Sequence, residues 1–187
     1  MKNLSVFIIN KHQYLKLHID HLDPDDDLVW KEFSIDFVDK KKNTCVEIGL
    51  NTIADFCDKL TYSNFTKKLI NNELPIDKII TEDIGKMYNR HHTREQFDKM
   101  SRHFFTSNAP CGRGPMVYSW MYNDEKGRII LQVNSAFKWK SHYRKNCKEF
   151  KKFLEEYTAF QVVVPKYRLK QWIQQVKKIE KQLQNSF

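Results

Sequence analysis

Cys111-Gly112-Arg113-Gly114 brings a thiol, a guanidinium and two glycines into four consecutive positions. Glycines let backbone N–H groups converge on an anion, and Arg113 would add a bidentate grip or lower the pKa of the Cys111 thiol. With His103 as base, the set would make a cysteine-based enzyme. The tract is not a phosphate loop, because no Lys-Ser/Thr follows and no strand-to-helix junction falls there. Nothing in the sequence brings Cys111 and His103 together, so catalysis ranks third among the readings. His18-Ile19-Asp20-His21 is the densest set of metal-ligating types. On a strand, His18 and Asp20 point the same way about 7 Å apart while His21 faces oppositely. That spacing closes no site, and the stretch reads as a strand running into an acidic turn. His91 and His92 diverge beside Thr93 and read as solvated histidines at a helix start. No metal and no cofactor is expected.

A different chemistry is written in the last third. Phe137-Lys138-Trp139-Lys140-Ser141-His142-Tyr143-Arg144-Lys145 interleaves aromatic and basic groups. Lys148, Lys151 and Lys152 fall away from the Phe150 and Leu154 face of a helix, and Lys166, Lys170, Lys177 and Lys181 share a stripe on the last one. The whole formal charge of +9 sits here, since residues 138–187 hold thirteen Lys or Arg against four Asp or Glu, and residues 1–137 hold nineteen of each. Such asymmetry calls for an acidic partner. The leading expectation is a non-enzymatic protein-binding module that takes an acidic protein surface. Its contact set is Lys138, Trp139, Lys140, Tyr143, Arg144, Lys148, Lys151 and Lys152, with Arg113 alongside. The alternative is a nucleic-acid-binding protein using the same face, with aromatics stacking on bases and lysines on phosphates. No ribonucleoprotein, KH or helix-turn-helix signature accompanies it.

Composition sets the frame for these residues. In 187 residues, 41% are apolar and 29% charged, a globular mixture long enough to bury a core without metal or disulfide support. Cys45, Cys57, Cys111 and Cys147 show no C-x-x-C spacing, which fits reduced thiols in a cytoplasm. The opening Met1–Lys11 reads as a first strand rather than a secretory signal, and no apolar run reaches the ~18 residues of a membrane span.

The elements that must position the site follow from periodicity. Leu15, Leu17 and Ile19 alternate as a strand, and Asp23-Pro24-Asp25-Asp26-Asp27 makes a turn. Phe33, Ile35 and Phe37 pair with Val46, Ile48 and Leu50 as a hairpin. Asn51 or Thr52 caps a helix through Ile53, Phe56, Cys57 and Leu60. Ser63 and Thr81 are further capping candidates, and Thr93 with Gln96 forms a capping box ahead of Phe97, Met100 and Phe104, predicting a helix from about 94 to 105. Strands at 117–122, 129–133 and 160–164 and helices around 143–157 and 166–183 complete the chain. The expected fold is α+β, with antiparallel β-hairpins packed on several amphipathic helices in a single domain 1–187. Subdomains at 1–62 (hairpin plus helix), 63–114 (helical insert) and 115–187 (hairpin plus basic helices) are suggested.

The Trp-led hairpin Trp30-Lys31-Glu32-Phe33-Ser34-Ile35-Asp36-Phe37, the short helix Asn51-Thr52-Ile53-Ala54-Asp55-Phe56-Cys57, and the strand feeding a C-terminal helix with Trp172 resemble the small α+β immunity proteins of bacterial polymorphic toxin systems. The resemblance covers about half the chain and transfers no binding residue. It implies a non-catalytic inhibitor that blocks a partner enzyme, a toxin or effector, of bacterial or phage origin. Immunity proteins against nucleases tend to be acidic, whereas this chain is basic, so the implied target carries an acidic face.

Overall fold

The structure is a computed structural model that describes residues 2–19, 32–90, 93–107, 116–137 and 148–184. Among these residues two four-stranded antiparallel sheets form, each a meander in chain order. The N-terminal sheet comprises β1 (Lys2–Ile8), β2 (Gln13–Ile19), β3 (Glu32–Asp39) and β4 (Thr44–Thr52). The C-terminal sheet comprises β5 (Phe104–Ser107), β6 (Val117–Asn123), β7 (Ile129–Ser135) and β8 (Ala159–Val164). Between the sheets in sequence lie α1 (Ile53–Cys57), a π-helical turn (Asp58–Tyr62), α2 (Asn64–Asn71), α3 (Ile84–Asn89) and α4 (Arg94–Ser101). α5 (Lys148–Glu155) precedes β8, and α6 (Lys166–Gln184) follows it. This is the α+β single domain that the alternation pattern predicts, with antiparallel sheets packed on several helices.

Period-2 alternation decides which side of each sheet is dry. Phe7, Leu15, Leu17, Phe33, Ile35, Phe37 and Ile48 of the N-terminal sheet enter one core with Val117, Met121, Leu131, Val133 and Val162 of the C-terminal sheet. Phe37 on β3 meets Phe160 on β8 at 4.8 Å between ring centroids, which joins the two sheets directly. α6 adds Leu169, Trp172 and Val176 to the same core, and α1 adds Phe56, whose ring sits edge-on to both Phe7 and Phe33. Gly49 on β4 passes so close to Thr106 on β5 that a β-carbon there would lie 2.2 Å from the Thr106 hydroxyl, so the crossing of the strands requires glycine. The opposite face of the C-terminal sheet carries a second cluster, in which Trp120, Tyr122 and Ile130 lie under Ile84 and Met87 of α3 and Met100 of α4.

Local chemistry explains the helix boundaries. Thr52 caps α1, its hydroxyl accepting from the Asp55 N–H and donating to the Asp55 carboxylate. The Thr93/Gln96 capping box of α4 makes both of its reciprocal bonds. α4 ends at Ser101, however, and Phe104 starts a strand instead of finishing the helix expected to run to about 105. Pairing with β6 provides the reason, since Phe104 sits opposite Trp120 in the ladder. Ser63 stands before α2, but its hydroxyl donates back to the Lys59 carbonyl, and α3 is capped by Asp83 rather than Thr81. The turn at 23–27 lies outside the described residues.

Candidate functional site

Of the basic contact set read from the sequence, Lys148, Lys151 and Lys152 are described; Lys138, Trp139, Lys140, Tyr143, Arg144 and Arg113 lie outside the described residues. α5 presents its three lysines to solvent, while Phe150 is buried on the far side against Phe137, with centroids 5.0 Å apart. Lys152 pairs loosely with Glu156 at 3.6 Å, both ends largely solvated, a contact worth little. On α6, Lys170, Lys177 and Lys181 are exposed, with Lys166 partly covered. Among the described residues, no ion pair joins a carboxylate of residues 1–137 to any cation of 148–181. Asp77, Asp124 and Glu82 are taken by Lys99, Arg128 and Arg90 of their own half. Tyr157, just beyond α5, bonds to residues on the α3 side of the C-terminal sheet, whereas α6 packs on the shared core, so the two lysine sets occupy opposite sides of that sheet.

A groove of about 310 Å³ runs between the start of the chain and α6. Ile8 on β1 forms one wall and Arg168, Gln171, Trp172, Gln175 and Lys178 form the other. Trp172 donates through its indole N–H to the Ile8 carbonyl at 2.9 Å, and Gln175 donates to the Val6 carbonyl at 3.1 Å. Sequence reading missed this groove. Arg168 and Lys178 fall off the lysine stripe of α6, and the strand that completes the wall is about 160 positions away in sequence. A smaller cleft of about 190 Å³ lies where Ile173 of α6 meets the π-helical turn and α2. Beside it, the Lys59 ammonium rests 4.2 Å from the centre of the Phe65 ring, and burial lowers its pKa.

The α3 side of the C-terminal sheet holds a polar network. Asp83 accepts hydrogen bonds from the Tyr157 hydroxyl at 2.5 Å, from the Gln132 amide at 3.0 Å to each oxygen, and from the Lys86 backbone N–H at 3.0 Å. Tyr122 donates to Gln132, and Gln161 donates to both. Burial and the adjacent Asp83 push the Tyr157 phenol far above its ordinary pKa, so it serves as a donor and not as a base. A carboxylate saturated in this way is a structural clamp. Replacing Asp83 with alanine should lower stability by about 2 kcal/mol, because Gln132 and Tyr157 lose an acceptor in a mostly buried place. Chemical denaturation checks this, and an unchanged midpoint would remove the clamp.

The reactive side chains are spread out. His18 on β2 lies 3.3 Å from the Asp36 carboxylate of β3, both largely buried, whereas Asp20 and His21 lie outside the described residues. His91 and His92 lie outside them too, as do Cys111 and Cys147. His103, where α4 gives way to β5, is 2% exposed. Burial together with Arg102 holds its pKa down at about 4. The Cys57 thiol is pushed up to about 12 by burial; the Cys45 thiol is exposed, but partial desolvation and Asp36 raise its pKa, so both stay protonated near neutrality. Among the described residues, no three His, Cys, Asp or Glu side chains are placed to hold a metal ion, and no helix is long and apolar enough to cross a membrane.

Fold and site together define an α+β domain with solvent-facing cations on its C-terminal helices and a cationic groove between its first strand and its last helix. No protein-family model matches the chain, and neither does any curated protein or solved structure.

Proposed function

We propose that this protein is a non-enzymatic binding module that neutralises a partner enzyme or toxin by docking on an acidic surface of it. The observation that carries the reading is the unspent charge of the C-terminal helices. Lys148 and Lys151 on α5 are exposed, and no carboxylate among the described residues answers them; Lys170, Lys177 and Lys181, on the other side of the C-terminal sheet, add to the long-range field and not to the same contact face. Charges held in solvent and free of internal partners steer encounter with an oppositely charged protein and raise the association rate.

The test is co-expression with the product of the neighbouring gene. If that product is toxic, this chain should restore growth and form a stoichiometric complex with it. The double variant Lys148→Glu/Lys151→Glu should then slow association about tenfold at low salt while dissociation changes little. An unchanged association rate would remove α5 from the interface. Tight oligonucleotide binding with a steep salt dependence, in the absence of any protein complex, would replace the reading with nucleic-acid binding.

A further inference from the structure

The β1–α6 groove has a hydrogen-bonding balance that selects its occupant. β1 is an edge strand, and the Ile9 N–H donates to Gln13 across the β1–β2 ladder. Residues 7 and 9 therefore turn their backbone groups toward β2, while Val6 and Ile8 turn theirs toward the free edge. The two edge carbonyls are already used, Ile8 by the Trp172 indole and Val6 by the Gln175 amide. The other wall offers cations and donors. Arg168 spends one guanidinium nitrogen on Gln171 at 2.9 Å and lays its guanidinium 5.0 Å from the centre of the Tyr167 ring, which leaves its charge unanswered by any carboxylate among the described residues. Lys178 is exposed, and among the described residues no carboxylate lines the groove. A ligand that satisfies this wall must bring acceptors and negative charge.

Two alternatives fit less well. A strand added to β1 by backbone pairing would have to displace both Trp172 and Gln175 from the edge carbonyls. A single-stranded nucleic acid needs exposed ring faces for its bases, and the indole that lines the groove is 1% exposed. Ile8 is 44% exposed and offers an apolar contact beside the cations. Arg168 and Lys178 stand about 15 Å apart along the helix axis, at ~1.5 Å per residue. An extended peptide sets side chains i and i+4 about 13 Å apart on one side, with i+2 between them.

We propose that the groove between β1 and α6 captures an extended acidic segment of a partner protein, two carboxylates four residues apart meeting Arg168 and Lys178 and an apolar side chain between them lying on Ile8. The proposal deepens the reading of the protein as a binder of acidic protein surfaces and rests on it.

The probe is a fluorescein-labelled peptide with the core Glu-Ser-Leu-Ser-Glu, compared with a charge-matched core Glu-Glu-Leu-Ser-Ser by fluorescence anisotropy. The first should bind about tenfold more tightly than the second, and Arg168→Gln or Lys178→Gln should each erase about tenfold of its affinity. Thermal melts confirm that both variants fold. Lys148→Glu/Lys151→Glu should leave peptide affinity unchanged. Peptide binding that ignores Arg168 and Lys178 but falls with the α5 double variant overturns the groove and leaves the acidic-partner reading standing. No peptide binding overturns the groove as well, and if an oligothymidylate of similar length binds instead, the acidic-partner reading falls with it.

Discussion

A His103→Gln variant should escape a loss of stability that the native protein suffers between about pH 6.5 and pH 4. His103 has a folded-state pKa of about 4 against an ordinary value of 6.5. Burial is the main cause, and the positive charge of Arg102 adds to it while Asp77 opposes it. Above pH 6.5 the imidazole is neutral in folded and unfolded chains alike and contributes no pH dependence. As the pH falls, the unfolded chain takes up a proton that the folded one refuses, so unfolding gains ground until the folded form also titrates near pH 4. The gap corresponds to about 3 kcal/mol of stability, drained progressively across that window. Geometry agrees with the direction, because Nδ1 of His103 meets no hydrogen-bond partner among the described residues and the ring lies edge-on to Tyr122 at 6.3 Å. Urea denaturation at stepped pH should show the native protein weakening through the window and the glutamine variant staying nearly flat. The carboxyl of Asp39, held down chiefly by Gln13, loses its contribution at lower pH in both proteins and cancels in the comparison, and that of Asp77, held down chiefly by Lys99, is lowered from 3.8 and so titrates below the window. Parallel curves for the two proteins would show that the imidazole is solvated and titrates alike in the folded and unfolded chains.

His103 also shows where the sequence stopped being legible. Phe97, Met100 and Phe104 recur at helical spacing, and all three side chains do reach the α3 side of the C-terminal sheet, Phe97 stacking on Tyr88 and Phe104 packing edge-on against Trp120. Periodicity reports which side chains share a face, so it stayed satisfied while the backbone changed from helix to strand at His103. The pairing of β5 with β6 is a long-range event that no window of eleven residues contains. The same limit hid the groove. The stripe of α6 was readable because a regular helix repeats every 3.6 residues. The capping box at Thr93 and the alternation of β3 were readable for the same reason, namely that their partners are local. What β1 would bring to α6 was not readable, and neither was the meeting of Asp83 with Gln132 and Tyr157, whose residues are separated by 49 and 74 positions. Asn123 gives a further instance. It opens the turn-forming tract Asn123-Asp124-Glu125-Lys126-Gly127, but it is buried at the end of β6, where its amide donates to the Leu69 carbonyl and its oxygen accepts from the Leu74 N–H, tying the segment after α2 to the C-terminal sheet.

The largest single loss is expected at Trp172. Its ring is almost wholly buried, sits edge-on to Phe7 with centroids 5.9 Å apart, and belongs to the core shared by both sheets. Trp172→Ala should cost about 4 kcal/mol, the sum of lost burial and an imperfectly collapsed cavity, with the unsatisfied Ile8 carbonyl adding to it. For a chain of this size that is a fall in Tm on the order of 10 °C. Trp172→Phe removes the donor together with part of the ring volume, so its cost should be intermediate, at about 2 kcal/mol. The form of the transition matters as much as its midpoint. The indole links the first strand to the last helix across 164 positions, so α6 cannot leave without uncovering Phe7 and the core face of β1. Circular dichroism and tryptophan fluorescence should therefore report one coincident transition in the native protein and in Trp172→Phe alike. A first transition that removes helical signal and leaves the sheets folded would show that α6 is an appendage, and the groove it builds with β1 would then lack the rigid wall needed to hold two carboxylates at fixed spacing.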